Sequence, residues 1–398
     1  MMTLDLSAAS ARDALGAHGD PLTDDEAIDA FARVWWGHLA EPGDADAGTL
    51  IGALGAAPAL EVVVHSVPTP IADLDAVAAR HAWARWRPRL DGSAVRRSLR
   101  TATLVGLRLL TPADAAWPEA LDDLGPHAPS ALWVNGSLEA VREATPISVV
   151  GARAATSYGE HVAAELAAGI GAHGGAVVSG AAYGIDGAAH RAALAVGSPT
   201  VAFLAGGADR AYPSGNAGMI AEIAEAGAVV SELPPGSAPT RWRFLQRNRL
   251  IAAMGAATVV VEAGWRSGSL NTAGHAAGLG RPLGAVPGPV TSAASAGCHR
   301  LLREYDAVAV TCPDDVWELA GGPGDPRGGP PPGAEDGVQR RRTDVTTRVL
   351  DALSPRADRT VAEIARGAGL SLEETGSLLG LLELEGLAGR GGSGWRRA

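Results

Sequence analysis

Apolar residues recur along this chain in two alternating registers. Short β-branched apolar runs fall at 147–150, 176–178, 200–204, 228–231, 258–261, 283–286 and 307–310. Their length and unbroken apolarity suit strands covered on both faces. Between most of them the period changes to that of a helix. Val162, Leu166 and Ile170 repeat every four residues and form one apolar stripe. This alternation predicts a doubly wound parallel sheet, an extended Rossmann-like α/β fold.

The flanks read differently. Residues 1 to about 95 are helical in pattern, and an extended core would run over 96–320. Thr23-Asp24-Asp25-Glu26 has the form of an N-cap and acidic first turn, leading into Ile28, Phe31, Val34, Trp35 and Leu39. Residues 49–60, with Gly52 and Gly55, suit a small helical hairpin, which either grips a DNA backbone or simply packs. Residues 107–138 read as short extended pieces, the last ending at Asn135-Gly136. Residues 321–342 are rich in Gly and Pro and end in Arg340-Arg341-Arg342, as a linker that lets its ends move independently.

From 343 to 398 the pattern is helix, helix, helix and wing. Val349, Leu350 and Leu353 begin it, and Val361, Ile364 and Ala365 follow. Ser371 with Glu374 makes a capping box before Leu378, Leu379, Leu381, Leu382 and Leu384. Glycine-rich 389–394 and Trp395-Arg396-Arg397 complete a winged-helix-like module. Glu373, Glu374, Glu383 and Glu385 on its third helix disfavour contact with phosphates.

The chain has 398 residues, 46% hydrophobic, with a formal net charge of −11. That balance argues against a general nucleic-acid coat but leaves room for a local basic groove. All 33 basic side chains are arginine, so any cationic recognition uses planar, bidentate guanidinium. Cys298 and Cys312 fit no metal or redox spacing. With no basic-then-apolar leader and no run long enough to span a bilayer, the expectation is a soluble, cytoplasmic protein without membrane, metal or cofactor.

The turns that follow the strands carry the chemistry, because those loops gather on one edge of a parallel sheet. Gly151-Ala152-Arg153 comes first, with Thr156, Ser157, Tyr158 and Gly159 beside it. Gly151 permits close backbone approach, and Arg153 projects over the crevice. Ser179 and Gly180 can donate to a phosphate. Gly184-Ile185-Asp186 opens a helix, and Asp186 is read as orienting backbone or arginine. His190, one turn on, is read as structural. Residues 241–249 hold Arg241, Arg243, Arg247 and Arg249, with Asn248, and no acid. Their spacing of mostly two would fan them around a helix, so a looser loop tracking a nucleic-acid backbone is expected there, with 247–249 starting the helix that runs to Met254. Trp242 and Phe244 either stack on bases or anchor the loop. Glu262 ends a strand, and Arg266-Ser267-Gly268-Ser269 then opens a helix in an anion-binding pattern.

Gly169-Ile170-Gly171-Ala172-His173-Gly174 matches a dinucleotide fingerprint but follows a helix and precedes a strand, the reverse of the required order. It is read as a helix C-terminus. A Walker A lysine is impossible. No catalytic residue is assigned; Asp186 and Glu262 are the acids that come nearest to a pair.

Taken in order, these motifs resemble the DNA-processing protein A (DprA/Smf) family over roughly 105–320. The resemblance rests on Val150-Gly151-x-Arg153 with Tyr158-Gly159, and on Ser179-Gly180-x-Ala182-x-Gly184-Ile185-Asp186-x-x-Ala189-His190. Tyr212-Pro213-x-x-Asn216, Ser231-Glu232 and Arg247-Asn248-Arg249-x-Ile251-Ala252 extend it. Val261-Glu262-Ala263-x-x-Arg266-Ser267-Gly268-Ser269, Ala285-Val286-Pro287-Gly288 and Gly297-Cys298 complete it. It implies a homodimeric single-stranded-DNA-binding recombination mediator, not an enzyme, that protects incoming strands and loads RecA recombinase in natural transformation. Tyr183 stands where many relatives have arginine. The competing class is a phosphoribohydrolase-like Rossmann enzyme acting on nucleotide phosphates. Its Pro-Gly-Gly-x-Gly-Thr signature is missing, since Trp265-Arg266-Ser267 follows Glu262-Ala263-Gly264.

Overall fold

The computed structural model describes residues 4–20, 22–68, 70–71, 73–321 and 337–398. Its centre is a nine-stranded sheet. In chain order the strands are β1 (Arg108–Leu110), β2 (Leu132–Gly136), β3 (Thr145–Val150), β4 (Gly175–Ser179), β5 (Thr200–Phe203), β6 (Ala228–Ser231), β7 (Ala257–Val260), β8 (Leu283–Ala285) and β9 (Val308–Ala309). Their order across the sheet is β1-β2-β6-β5-β4-β3-β7-β8-β9. All seven apolar runs from 147 onward form parallel strands, and β1 and β2 add an antiparallel edge against β6.

Strand alternation supplies two cores. Ile147 and Val149 point to one face and pack with Leu166, Ile170, Ile185 and Val316. Val150, Val178 and Phe203 point to the other and pack with Leu250, Ile251 and Ala273. The chain winds outward from β3 to β6, then returns to place β7 on the other side of β3. Loops therefore diverge beyond the carboxyl ends of β3 and β7, where such sheets bind ligands. Gly169 packs against Pro313 within the Ser157–Ala172 helix, so the G-x-G-x-x-G match is a helix end.

The helical region extends past the expected boundary at 95. The Gly92–Leu104 helix straddles it, and Val95, Leu99, Ala102 and Leu107 share a core with Trp36, Leu60 and Trp83. Trp133 of β2 joins that core, fastening the region to the sheet edge. Thr23 and Glu26 make a complete capping box. Helices Ala45–Leu54 and Ala56–His65 meet at 112°. Among the described residues no single helix is long and apolar enough to cross a membrane.

Of the expected linker, 322–336 lie outside the described residues, and the backbone is already helical from Gly337 to Ala352. Helices Val361–Ala368 and Leu372–Leu384 follow, then a hairpin of β10 (Ala388–Arg390) and β11 (Trp395–Arg397). Val349, Ile364, Leu379 and Trp395 form their core. This module is docked, contrary to the independence expected from linker composition. Arg348 lies over the Trp242 ring at 5.3 Å, and Asp351 accepts the backbone N–H of Trp242 at 2.9 Å. Specific side-chain partners outweigh the freedom a Gly/Pro segment allows.

Candidate nucleic-acid interface

A crevice of about 680 Å³ lies over the β3/β7 switch point. Gly151 and Arg153 reach it from β3, Ala182 and Asp186 from β4, and Arg266, Ser267, Gly268 and Ser269 from β7. Arg241, Phe244, Arg247 and Asn248 close one wall, and Tyr212 stands at its side. Four arginines face one carboxylate, Asp186, among the described lining residues. In a chain of net charge −11 this is a concentrated positive field.

The arginine run is helical from its first residue, not a loop. Thr240 caps the Arg241–Met254 helix by accepting the Arg243 N–H. The two-residue spacing therefore fans the guanidinium groups onto different neighbours. Arg241 is exposed on the crevice rim. Arg243 turns away and binds Glu41 of the helical region. Arg249, 2% exposed, donates to the His127 carbonyl and pairs with Glu232 at 2.7 Å. Neither Arg243 nor Arg249 lines the crevice, so direct phosphate contact is withdrawn from both.

Arg247 forms the crevice floor. Its Nη1 donates to the Gly180 carbonyl at 2.8 Å and to the Phe203 carbonyl. A Cβ at Gly180 would lie 2.0 Å from that nitrogen, so a side chain there would displace the guanidinium. Burial pushes the Arg247 guanidinium down to about 10, with Asp186 opposing, and it remains charged at neutral pH. Burial pushes Asp186 above the ordinary aspartate value, with Arg247 opposing. Asp186 accepts the Gly180 N–H at 3.1 Å and so sets the turn after β4.

Other expected donors are spent on the fold. Ser179 Oγ donates to the Val149 carbonyl at 2.6 Å and is fully buried. Gly180 gives its N–H to Asp186, so neither residue offers a donor to a ligand. Gly184, at φ +71°, lies so close to the Ala152 carbonyl that a Cβ would sit 2.3 Å away. Ser157 opens the Ser157–Ala172 helix, exposed but outside the crevice lining. Glu262 accepts the Thr156 N–H at 2.9 Å and the Thr156 hydroxyl at 2.7 Å, stapling the turn after β3. Asn248 donates to the Gly268 carbonyl and to Asn271 Oδ1, both at 3.3 Å, fixing the Ser267–Ser269 turn. His190 is fully buried, its Nδ1 2.8 Å from the Thr200 hydroxyl. Burial, helped by Arg247 and Arg191, pushes it down to about 3, which leaves a neutral structural group.

Both aromatic residues of the arginine run are occupied. Trp242 is buried under Arg348. Phe244 has the Arg153 guanidinium 4.5 Å from its ring centre and Tyr212 tilted against it at 5.6 Å. Among the described crevice-lining residues, the aromatic surface that stays open is Tyr212, 47% exposed. Asn216 donates to the carbonyls of Ala181 and Ala182 at 3.0 and 3.1 Å, tying the Tyr212 loop to the turn after β4. Sequence reasoning includes Arg241 in the arginine run but does not single out Tyr212, Glu41 or Asp351 as site residues. Tyr212 is visible within a motif, whereas the last two have no local signal at all.

A second cavity, of about 160 Å³, lies between the helical region and the sheet. Glu41, Asp44, Asp122 and Glu232 line it beside Trp36 and Ile51. Its acidic lining does not suit a nucleic acid.

Fold and crevice together define a Rossmann-type protein with an arginine-lined groove at its switch point. The model of the family DNA recombination-mediator protein A matches residues 108–321, over half of the chain. This chain belongs to that family. It is 44% identical to the putative DNA processing protein DprA of Mycobacterium tuberculosis over 384 residues, covering 93% of this chain and 95% of that one. The X-ray structure of DNA processing protein A from Streptococcus pneumoniae aligns with a TM-score of 0.57 at 27% identity, covering 72% of this chain and 95% of that one. A Helicobacter pylori DNA processing protein A structure, described by its single-stranded DNA binding mode, aligns at 27% identity with a TM-score of 0.49, over 54% of this chain and 97% of that one. The role of this chain is that of its family, DNA processing and recombination mediation.

Proposed function

We propose that this chain binds single-stranded DNA along the crevice, without sequence preference, and acts as a recombination mediator rather than a catalyst. The observation that carries the reading is the crevice lining of four arginines against one carboxylate. Arg153, Arg241 and Arg266 are exposed there and can meet phosphate oxygens bidentately. Arg247 supplies a fixed charge beneath them. Phosphates read this way carry no sequence information. Tyr212 offers a face on which any base can stack.

The carboxylates support binding over catalysis. Both Glu262 oxygens are engaged by Thr156, and Asp186 is engaged by the Gly180 backbone. A phosphoribohydrolase needs a free carboxylate poised at the sugar. The finer reading, suggested by family membership, is a cytoplasmic homodimer that protects incoming single strands and passes them to RecA recombinase during natural transformation.

Fluorescence anisotropy with single- and double-stranded oligonucleotides across a salt series tests the main reading. Single strands should bind more tightly, with affinity falling log-linearly with salt. Equal, salt-independent binding of both forms would refute it. Release of free base from nucleoside monophosphates would favour the enzyme instead.

A further inference from the structure

The crevice runs to the N-terminus of the Arg241–Met254 helix, and a carboxylate from a distant part of the chain is seated there. Pro239, Thr240 and Arg241 line that end of the crevice. Asp351 places Oδ2 2.9 Å from the Trp242 backbone nitrogen and accepts its N–H. Thr347, four residues earlier on the same helix, lines the crevice itself. Residues at i and i+4 share a helix face, so one face of the Gly337–Ala352 helix meets both the crevice and its end.

We propose that this helix end is a phosphodiester subsite of the crevice, that Asp351 occupies it as an internal mimic of a phosphate, and that the C-terminal module must lift before a strand can fill the whole groove. The proposal rests on the reading of the crevice as a single-strand site. A carboxylate oxygen and a non-bridging phosphate oxygen satisfy the same N-terminal amide donors and the same helix dipole. Arg241 stands beside this end, exposed, where its guanidinium could meet the same phosphate.

The docking contacts suit a reversible latch. Arg348 stacks on Trp242 and donates to the Ala368 and Gly369 carbonyls of its own module. Burial holds its guanidinium below the ordinary arginine value; Glu41 and Asp44 oppose that, and Arg85 and Arg89 add to it. The module is thus seated by a cation whose charged neighbours are of both signs. A strand phosphate and Asp351 compete for the Trp242 N–H, so docking weakens strand binding and strand binding weakens docking by the same factor.

The test uses the full chain with Asp351→Asn and Asp351→Ala variants and a single-stranded homopolymer long enough to fill the groove. Anisotropy should show binding roughly two- to tenfold tighter in both variants, the range set by one carboxylate at a helix end. Hydrogen exchange should show that saturating oligonucleotide speeds exchange in 345–352 of the unaltered protein while it slows exchange in 239–244. Unchanged or weaker binding in folded variants would overturn the proposal. So would tighter binding with 345–352 still protected, since that pattern is long-range charge repulsion without displacement. If the unaltered protein binds no single strand, the reading of the crevice itself fails, and the two failures are distinguishable.

Discussion

Arg243 grips Glu41 with two parallel hydrogen bonds, Nε to Oε2 at 3.1 Å and Nη2 to Oε1 at 3.0 Å, across 202 residues of sequence. Arg89 adds a third bond to the same carboxylate at 2.7 Å. Gly369 of the C-terminal module is packed so close that a Cβ there would lie 2.7 Å from Glu41 Cγ. One carboxylate thus joins the helical region and the sheet domain, with the C-terminal module seated on it.

Glu41→Gln should therefore loosen the docking of all three parts. Burial by itself would raise the Glu41 carboxyl, but Arg243 and Arg89 hold it well below the ordinary glutamate value. A depressed carboxyl contributes stability above its unfolded value, and that contribution is lost as pH falls toward the folded one. The variant should be less stable at pH 7, and the gap should narrow below about pH 4. Thermal unfolding from about pH 3 to 8 checks this. A constant gap would contradict it.

Arg153→Ala and Arg266→Ala each remove an exposed crevice guanidinium. Each should weaken single-strand binding and flatten the log–log salt slope by about 0.7 for every phosphate that is no longer neutralised. Melting temperature should hardly change, because neither side chain is buried. A normal slope in both variants would remove these residues from the interface.

Arg249→Ala should behave in the opposite way. Its guanidinium is buried against Glu232, so its removal leaves an unpaired buried carboxylate and costs about 3–5 kcal/mol of stability. Denaturant titration should show that cost, while the salt slope of the fraction that stays folded is preserved. A stable variant with a reduced slope would restore Arg249 to the phosphate-binding set.

Tyr212→Ala should lower affinity for every homopolymer by about 1–3 kcal/mol without altering the salt slope, since stacking releases no counterions. Tyr212→Phe should retain binding. An effect confined to one base type would indicate hydrogen-bonded base reading instead.

The seven parallel strands were legible in the chain because strands buried on both faces must be short, β-branched and apolar, whatever surrounds them. The capping boxes at Thr23 and Ser371 were legible for a similar reason, as cap and partner lie three residues apart. The family was legible through ordered turns whose glycines meet local steric demands. What each arginine does was not. Arg241, Arg243, Arg247 and Arg249 look alike in sequence, yet one lines the rim, one binds Glu41, one lies under Gly180 and one binds Glu232. The Thr240 cap makes the run helical, and a helix turns about 100° per residue, so the partners that close in around it assign each guanidinium. Likewise Ser179 looks like a phosphate donor until the Val149 carbonyl on the neighbouring strand claims its proton. Local chemistry therefore determined the elements and the loops that carry charge. Only packing between distant segments decided which charges remain free for a ligand, because a buried donor takes whichever acceptor the fold brings to it.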